Sequence, residues 1–440
     1  MTGNRLLIVF LPVALGAQDS VLRLSLKRAV ELATSPEGNT RLQLAGELAR
    51  QAESRSSQAR AALLPNLDSS ISQQSVTRNL AALGVRFDLP IPGVRIPTFV
   101  GPFNVFDVRA TATQSVFDFS SIRRYQASRA GLRAARTEVD TTTDQVAAQV
   151  AKTYLAALRA EADLEAARAN VTLAEAILKQ TENLKAAGSG TGLEVTRARV
   201  QLANERQRLL VVQNDRRRAR LQLLRAMNLR LDTDFELTDR LGFSPVDAET
   251  IAQVRKCALE TRPDYKAQLE RQQNARLASS ATRMERLPSL AAFADYGSIG
   301  SSVSNALPTR TYGLALRVPL FDGGRRDARR AESASQLRQE SIRTADLRDQ
   351  IGLEIELALD ALRSAVEQVK VAQEGLQLAE NELNQARRRY DAGVANSLEV
   401  TDAQSRLARA RDNHTVALFL HAQARLDLGQ ATGTLRRFLE

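Results

Sequence analysis

Two long helical passages with nearly the same pattern constrain this chain more than any other feature. In the later one an apolar or small residue returns every three, then four, positions up to Tyr390, a break follows at Gly393, and periodicity resumes after Leu398. The repeating positions are Val369, Ala372, Leu376, Ala379, Leu383, Ala386 and Tyr390, then Ala403, Leu407, Ala410, His414, Ala417, His421, Ala424 and Leu428. This heptad pattern is typical of helices that pack along their length. The first arm could reach roughly 100 Å, so the sequence predicts a long antiparallel helical hairpin.

The earlier passage carries the same features in the same order. Its periodic positions are Ala160, Leu164, Ala167, Val171, Ala174, Leu178 and Thr181. Gly188 interrupts it and Leu193-Glu194-Val195 restarts it, as Leu398-Glu399-Val400 restarts the later one. Gly188 and Gly393 are 205 positions apart, as are Leu193 and Leu398. A shared interval with a shared local sequence indicates an internal duplication.

Composition agrees with long helices rather than one large globular core. Aromatic residues make up 4% of the 440 residues and tryptophan is absent. The single cysteine, Cys257, excludes an internal disulfide and any two-cysteine metal motif. The net charge of +11 could suit nucleic acid or an anionic membrane. However, the arginine runs 216–218 and 387–389 lie inside periodic helices without aromatic interleaving, which favours solvated helix faces and no nucleic acid partner.

The N-terminus has the pattern of an export signal. Arg5 precedes an apolar run from Leu6 to Leu15, and Gly16 and Ala17 offer a cleavage site. The run is about ten residues long, too short to span a bilayer as a helix. An ordinary buried N-terminal segment is the alternative. Elsewhere no apolar stretch approaches the roughly 20 residues of a membrane helix, so strands would have to carry any membrane crossing.

Two regions switch from helical periodicity to strict alternation, each after a helix that ends at proline, Pro65 or Pro288. Strands are expected at about 66–79, 104–119, 289–300 and 309–321. Phe106, Val108, Ala110 and Ala112 alternate with polar residues, and so do Tyr312, Leu314 and Leu316 with smaller ones. One-sided strands of about ten residues fit a transmembrane β-barrel. A soluble β-subdomain with one buried face fits the same periodicity.

The number of strands decides what the chain would need in order to span a membrane as a β-barrel. Four strands cannot close a barrel, since single-chain membrane barrels start at about eight. An open sheet edge cannot face lipid, because each unpaired backbone group would cost several kcal/mol. Several copies would therefore have to share one barrel. Three copies make twelve strands, although a dimer or a tetramer also satisfies the argument.

The expected organisation has two repeats joined by a linker. Residues 1–17 form the signal peptide, 18–228 the first repeat, 229–247 the linker, 248–432 the second repeat and 433–440 a C-terminal tail. The helical hairpins occupy 120–228 and 325–432. A proline-rich loop at 80–103 makes the first repeat longer; it is either an outward-facing lid or contact loop, or an insertion tolerated at a strand turn.

The sequence offers no catalytic constellation, cofactor motif or metal site. It lacks a phosphate-binding glycine loop and an HExxH motif. His414 and His421 lie about 10.5 Å apart along a helix, too far for one metal ion. We therefore expect packed or partly exposed helix histidines and no enzyme activity. A metal ring between copies of the chain stays open.

Four segments, the first two of them copies of one motif, connect the chain with a known family. They are Leu64-Pro65-Asn66-Leu67, Leu287-Pro288-Ser289-Leu290, Val318-Pro319-Leu320-Phe321-Asp322-Gly323-Gly324, and Tyr390-Asp391-Ala392-Gly393 through Leu398-Glu399-Val400-Thr401-Asp402-Ala403. With the export signal and paired hairpins, the chain resembles the TolC-type outer-membrane efflux protein (outer membrane factor) family. The resemblance implies a homotrimer whose twelve-stranded β-barrel in the outer membrane continues into an α-helical barrel across the periplasm. Substrates would arrive from an inner-membrane transporter through a periplasmic adaptor (membrane fusion protein), in tripartite efflux or type I secretion, and pass through passively.

The resemblance also implies roles for six residues near the helical tips. Glu399 and Asp402 match acidic residues that ring the periplasmic constriction, and three copies would place six carboxylates there. Glu194 and Tyr390 match a polar latch between hairpins, although Ala395 stands where the best-known member has an assisting arginine. Gly188 and Gly393 match the tips where adaptor hairpins dock.

Two other functions fit parts of the pattern. An exported periplasmic coiled-coil spacer without channel activity would bury its strands in a soluble domain. A cytosolic basic coiled coil that binds nucleic acid would keep its N-terminus and bind DNA in a salt-sensitive way.

Overall fold

The computed structural model describes residues 22–35, 38–84, 98–188, 190–245, 251–395 and 397–435. The expected signal peptide, most of the proline-rich loop and residues 436–440 of the tail lie outside the described residues. The mainly helical fold with a small β part is confirmed.

Eight α-helices and six strands are described. The helices are α1 (Leu26–Thr34), α2 (Thr40–Ala61), α3 (Phe119–Ala186), α4 (Gly192–Ala226), α5 (Ile251–Thr261), α6 (Pro263–Met284), α7 (Arg325–Asp391) and α8 (Ser397–Thr432). The strands are β1 (Leu22–Leu24), β2 (Asn66–Asn79), β3 (Phe99–Phe117), β4 (Phe235–Leu237), β5 (Ser289–Gly300) and β6 (Leu307–Arg317). They form two compact units, one from residues 1–43, 142–261 and 351–440, the other from 44–141 and 262–350. Each unit takes segments from both sequence repeats.

In the second unit β2, β3, β5 and β6 form an antiparallel sheet in that order. Cross-strand partners share a face, so the register places Leu67, Ala112, Ala294 and Tyr312 in one row. Large apolar side chains on this face are 67–80% exposed: Leu67, Ile71, Tyr296, Tyr312, Leu314 and Leu316. The described residues therefore leave the apolar face of the sheet uncovered.

The other face of the sheet is more polar, although it includes Phe293 and Ile299, and it carries an ion-pair cluster. Arg109 on β3 pairs with Asp107 at 2.9 Å and with Asp295 on β5 at 3.3 Å. Thr111 lies opposite Asp295, which in turn lies opposite Thr311 on β6. The alternation of apolar and polar residues expected along these strands thus gives the sheet two chemically distinct faces.

Two strands end earlier than expected. β3 stops at Phe117 instead of 119, because Asp118 caps α3 by accepting a hydrogen bond from the Ser120 backbone N–H at 2.9 Å. β6 stops at Arg317 instead of 321, because Pro319 cannot donate a backbone hydrogen bond to a ladder. β3 also begins at Phe99, ahead of the expected 104.

The helical seams are buried largely as predicted. Val369, Ala379, Leu383, Ala386, Ala403 and Leu407 are all buried. In the earlier hairpin Ile177, rather than Leu178, is the residue buried toward the tip. Among the described residues, none of the helices combines the length and the hydropathy that a bilayer crossing requires.

The first unit has a core built on α1, α3 and α4, with the linker packed into it. The segment 229–247 was expected to be a plain linker, but it contains β4, which pairs in parallel with β1. α1 accordingly begins at Leu26, directly after β1 and the capping residue Ser25. Strands of three residues carry too little periodicity to be recognised in a sequence.

A buried polar contact fixes the linker in this core. The fully buried Tyr154 hydroxyl of α3 donates to Asp239 Oδ2 at 2.9 Å and lies equally close to the Leu24 carbonyl oxygen. The same carboxylate oxygen accepts from the Leu26 N–H at 2.7 Å. Burial, and then the Asp239 carboxylate, raise the pKa of the Tyr154 hydroxyl well above its usual range, so the tyrosine stays a neutral donor.

Replacing Tyr154 with phenylalanine should therefore weaken this core. Loss of the hydroxyl removes one of the two hydrogen bonds to Asp239 Oδ2, at a cost of about 1–3 kcal/mol. The Leu24 carbonyl keeps its hydrogen bond from the Thr238 N–H at 2.9 Å. Denaturant unfolding of Tyr154→Phe, followed by circular dichroism, measures the change. Tyr125→Phe is the matched control, because the Tyr125 side chain is only partly buried. Equal losses in both variants would contradict the assigned anchor.

Candidate functional site

The expected site residues cluster at the tips of the helical hairpins, where each long helix ends in a glycine-dependent cap. Gly393 adopts the left-handed region with φ of 71°, and its N–H donates to the Tyr390 carbonyl at 3.0 Å. The Val394 N–H donates to the Arg389 carbonyl at 3.0 Å, completing a Schellman motif. Gly188, with φ of 79°, donates to the Lys185 carbonyl at the end of α3. Both tip glycines thus allow the chain to reverse.

Glu194 begins α4 as part of a capping box. Its Oε2 accepts from the Thr191 backbone N–H at 2.9 Å, and the Thr191 Oγ1 accepts from the Glu194 N–H at 3.3 Å. This reciprocal pair satisfies two of the backbone donors at the helix start. Glu194 therefore has a structural task as well as the latch role expected for it.

Tyr390 lies in a small apolar cluster that joins the two hairpins. The cluster contains Ile177 of α3, Ala379, Leu383, Ala386 and Tyr390 of α7, and Val400, Ala403 and Leu407 of α8. Burial raises the pKa of the Tyr390 hydroxyl above its ordinary value, and the negative charges of Glu194 and Asp391 raise it further. Glu194 is therefore close enough to Tyr390 for its charge to act on the ring hydroxyl.

A second contact joins the hairpins beside Tyr390. The Gln180 Nε2 of α3 donates to Asp391 Oδ1, at the end of α7, across 2.6 Å. Sequence reasoning missed both residues, although Asp391 directly follows Tyr390 in the tip motif. An amide–carboxylate contact of this kind can hold two helices together and can be broken by a small displacement.

The two acidic residues expected to form the gate are in different surroundings. Glu399 pairs with Arg389 through an Nε–Oε1 distance of 2.9 Å, and both side chains are about half exposed. Asp402 lies one turn further along α8, is exposed, and has no ion pair within the described residues. Sequence reasoning counted carboxylates alone and missed Arg389, which offsets one of the two negative charges in each chain.

The tip does not form a metal site in the described part of the chain. Across those residues no group of three or more histidine, cysteine, aspartate or glutamate side chains could hold a metal ion. Cys257 is a free, partly buried thiol on α5. What the tip offers is an arrangement of charges: Asp402, the Arg389–Glu399 pair, and the polar contacts between hairpins.

Replacing Gly393 with alanine should loosen the tip selectively. A side chain in the left-handed conformation costs about 1–2 kcal/mol, so hydrogen exchange at the Gly393-Val394 turn should accelerate by roughly 5–30-fold. Gly375→Ala is the control: Gly375 lies inside α7 with open space around its Cα, and alanine there should stabilise the helix by about 0.5–1 kcal/mol. Unchanged exchange at the turn in Gly393→Ala would contradict the cap.

Comparison with known proteins gives the arrangement a context. The family model for outer membrane efflux proteins matches residues 37–229 and 254–434, which include β2, β3, β5, β6 and both helical hairpins. The pyoverdine export outer membrane protein OpmQ of Pseudomonas aeruginosa is 26% identical over 393 residues, covering 87% of this chain and 80% of that protein. OpmQ of Pseudomonas putida is 26% identical over 334 residues, covering 74% of this chain and 70% of that protein.

Solved structures show the same fold. The Campylobacter jejuni CmeC outer membrane channel superposes with a TM-score of 0.78 at 19% identity, covering 93% of this chain and 86% of that chain. The family match spans most of the sequence, including the four-stranded sheet and both helical hairpins. This chain therefore belongs to the outer membrane efflux protein family.

Proposed function

We propose that this protein is the outer-membrane exit duct of a tripartite efflux or type I secretion system, acting passively as a homotrimer. The observation that carries the proposal is the uncovered apolar face of the four-stranded sheet. Six large apolar side chains on it are 67–80% exposed. Water-facing proteins rarely leave so continuous an apolar surface open, whereas the lipid-facing side of a membrane strand requires one.

The two edges of the sheet support the sharing of one barrel among copies. β2 and β6 each pair on one side only within the described residues. In lipid such edges must find partners, because unpaired backbone groups cost several kcal/mol each. Pairing β6 of one copy with β2 of the next, three times over, would close a twelve-stranded barrel. A periplasmic spacer would instead cover the apolar face within its own fold.

Localisation and partners follow from the same proposal. The segment 1–17 would act as an export signal, and the barrel would lie in the outer membrane with the helices in the periplasm. A periplasmic adaptor would dock at the Gly188 and Gly393 tips and connect the duct to an inner-membrane transporter. The relatives named for pyoverdine export support an export role.

At the tips, Glu399 and Asp402 would ring the periplasmic entrance. Three copies would bring six carboxylates but also three Arg389 guanidinium groups, each paired with a Glu399. The ring would therefore favour cations mainly through Asp402, with the Arg389–Glu399 pairs lowering the field. Glu194 with Tyr390, and Gln180 with Asp391, would hold the hairpins in the closed arrangement.

A lysine on the apolar sheet face should block assembly in the membrane. Leu314→Lys puts a charge where lipid is expected, at a cost of about 2–4 kcal/mol per copy near the membrane centre. The yield of heat-modifiable trimer in outer-membrane fractions should fall strongly. Thr311→Lys, on the polar face of the same strand, should leave the trimer intact. Equal yields in both variants would refute the lipid-facing assignment.

Gate charges are tested by conductance in planar bilayers. Replacing Glu399 and Asp402 together with alanine should raise the conductance and reduce cation preference, because the constriction loses its carboxylates. Arg389→Ala should instead strengthen the cation preference, because it removes a positive charge beside the carboxylates. Glu47→Ala, which removes an exposed carboxylate from α2, is the control. If the double variant matches the wild type in both properties, these residues are not the gate.

A further inference from the structure

One buried histidine has no role in the proposed duct. His421 lies on α8 and is 0% exposed. Neither its Nδ1 nor its Nε2 has a hydrogen-bond partner among the described residues. Buried polar groups are almost always paired, so an imidazole with both nitrogens unsatisfied needs a physical reason.

The linker between the repeats covers this histidine. The Phe243 ring packs on the imidazole with ring centroids 4.8 Å apart and a 39° tilt between planes. Phe243 is itself 48% exposed, so it lies at the surface with His421 beneath it. Four residues earlier, Asp239 is held by the Tyr154 hydroxyl. The linker thus has a polar anchor at Asp239 and an aromatic contact at Phe243.

The charges around His421 offer nothing to an imidazolium. The positive charge of Arg425, one turn further along α8, disfavours a second positive charge on the imidazole. The Nε of Arg425 is itself buried and has no hydrogen-bond partner among the described residues. On the facing helix α3, Lys152 pairs with Asp427 at 2.7 Å and Arg159 lies over the Phe419 ring at 5.2 Å. The linker contacts His421 through the uncharged ring of Phe243. The charged side chains of α5, which also packs on α8, are exposed: Arg255, Lys256 and Glu260.

Protonation of His421 is therefore unfavourable in the folded protein. A buried imidazolium would lose its hydration, gain no acceptor and be repelled by Arg425. Burial first, and then Arg425, lower the pKa of His421 below its ordinary value of 6.5. Because the unfolded or released form takes up the proton more readily, the contact is at full strength above about pH 6.5 and weakens as the pH falls.

We propose that His421 and Phe243 form an acid-sensitive clasp that holds the linker residues 240–245 on α8 at neutral pH and releases them on acidification. The Tyr154–Asp239 anchor keeps the preceding part of the linker in place, so release is local. The clasp is independent of whether the chain conducts.

The chain offers a clean probe, because it contains no tryptophan. In the full-length Phe243→Trp protein the single indole reports the contact, and we titrate its emission from about pH 8 to about pH 5. The expected result is a red shift with a one-proton midpoint below pH 6.5. The same variant carrying His421→Phe should show no transition, whereas His414→Phe, which removes the other histidine, should keep it.

Hydrogen exchange on the unlabelled wild type provides a readout that needs no substitution. After correction for intrinsic rates, amides of residues 240–245 should lose protection by up to about tenfold per pH unit below pH 6.5, while the amides of β4 keep theirs. Constant protection of 240–245, or a tryptophan transition that persists in the His421→Phe background, would overturn the clasp.

Discussion

In lipid every backbone N–H and C=O group must be hydrogen-bonded, and this requirement constrains how the strands of this protein can be arranged. Within the part of the chain that the structure describes, the four strands pair with one another and β2 and β6 each keep one open edge. The same sheet exposes Tyr312, Leu314 and Leu316 on one face and carries the Arg109 cluster on the other. An apolar face, a more polar face and two open edges are what the proposed barrel, shared among copies of the chain, would need.

The helical part meets a different constraint, which is to end two very long helices and reverse the chain without exposing unpaired carbonyl groups. A glycine in the left-handed conformation ends the first helix at both tips. In the first hairpin the capping box of Thr191 and Glu194 then begins α4. Because these caps are local, the tip can differ in charge between the two repeats while both tips keep a left-handed glycine. Position 402 is aspartate, for example, where the first repeat has Arg197.

Electrostatics at the tip depends on pairs rather than on a count of acidic residues. Glu399 is an acidic residue in the sequence, but in the fold it is half of an ion pair with Arg389. Exposed pairs of this kind contribute about 0–1 kcal/mol to stability, so the arrangement matters more for the local field than for folding. The buried His421 is the opposite case, because neither ring nitrogen has a hydrogen-bond partner among the described residues, and the proposed acid sensitivity follows from that.

Periodicity and turn chemistry were enough to predict the long hairpins, the tip glycines, the four strands and their two faces, because each depends on residues close together in sequence. The sequence likewise limited the chemistry, since its single cysteine excludes an internal disulfide and a two-cysteine metal motif. Only tertiary structure revealed the partners that come from distant segments. These are the Arg389–Glu399 ion pair, the Gln180–Asp391 and Tyr154–Asp239 hydrogen bonds, and the ring contact between Phe243 and His421. It also decided that β6 ends before Pro319 and that three linker residues form a strand. These features depend on which elements meet in space, and a one-dimensional pattern does not encode the distances between them.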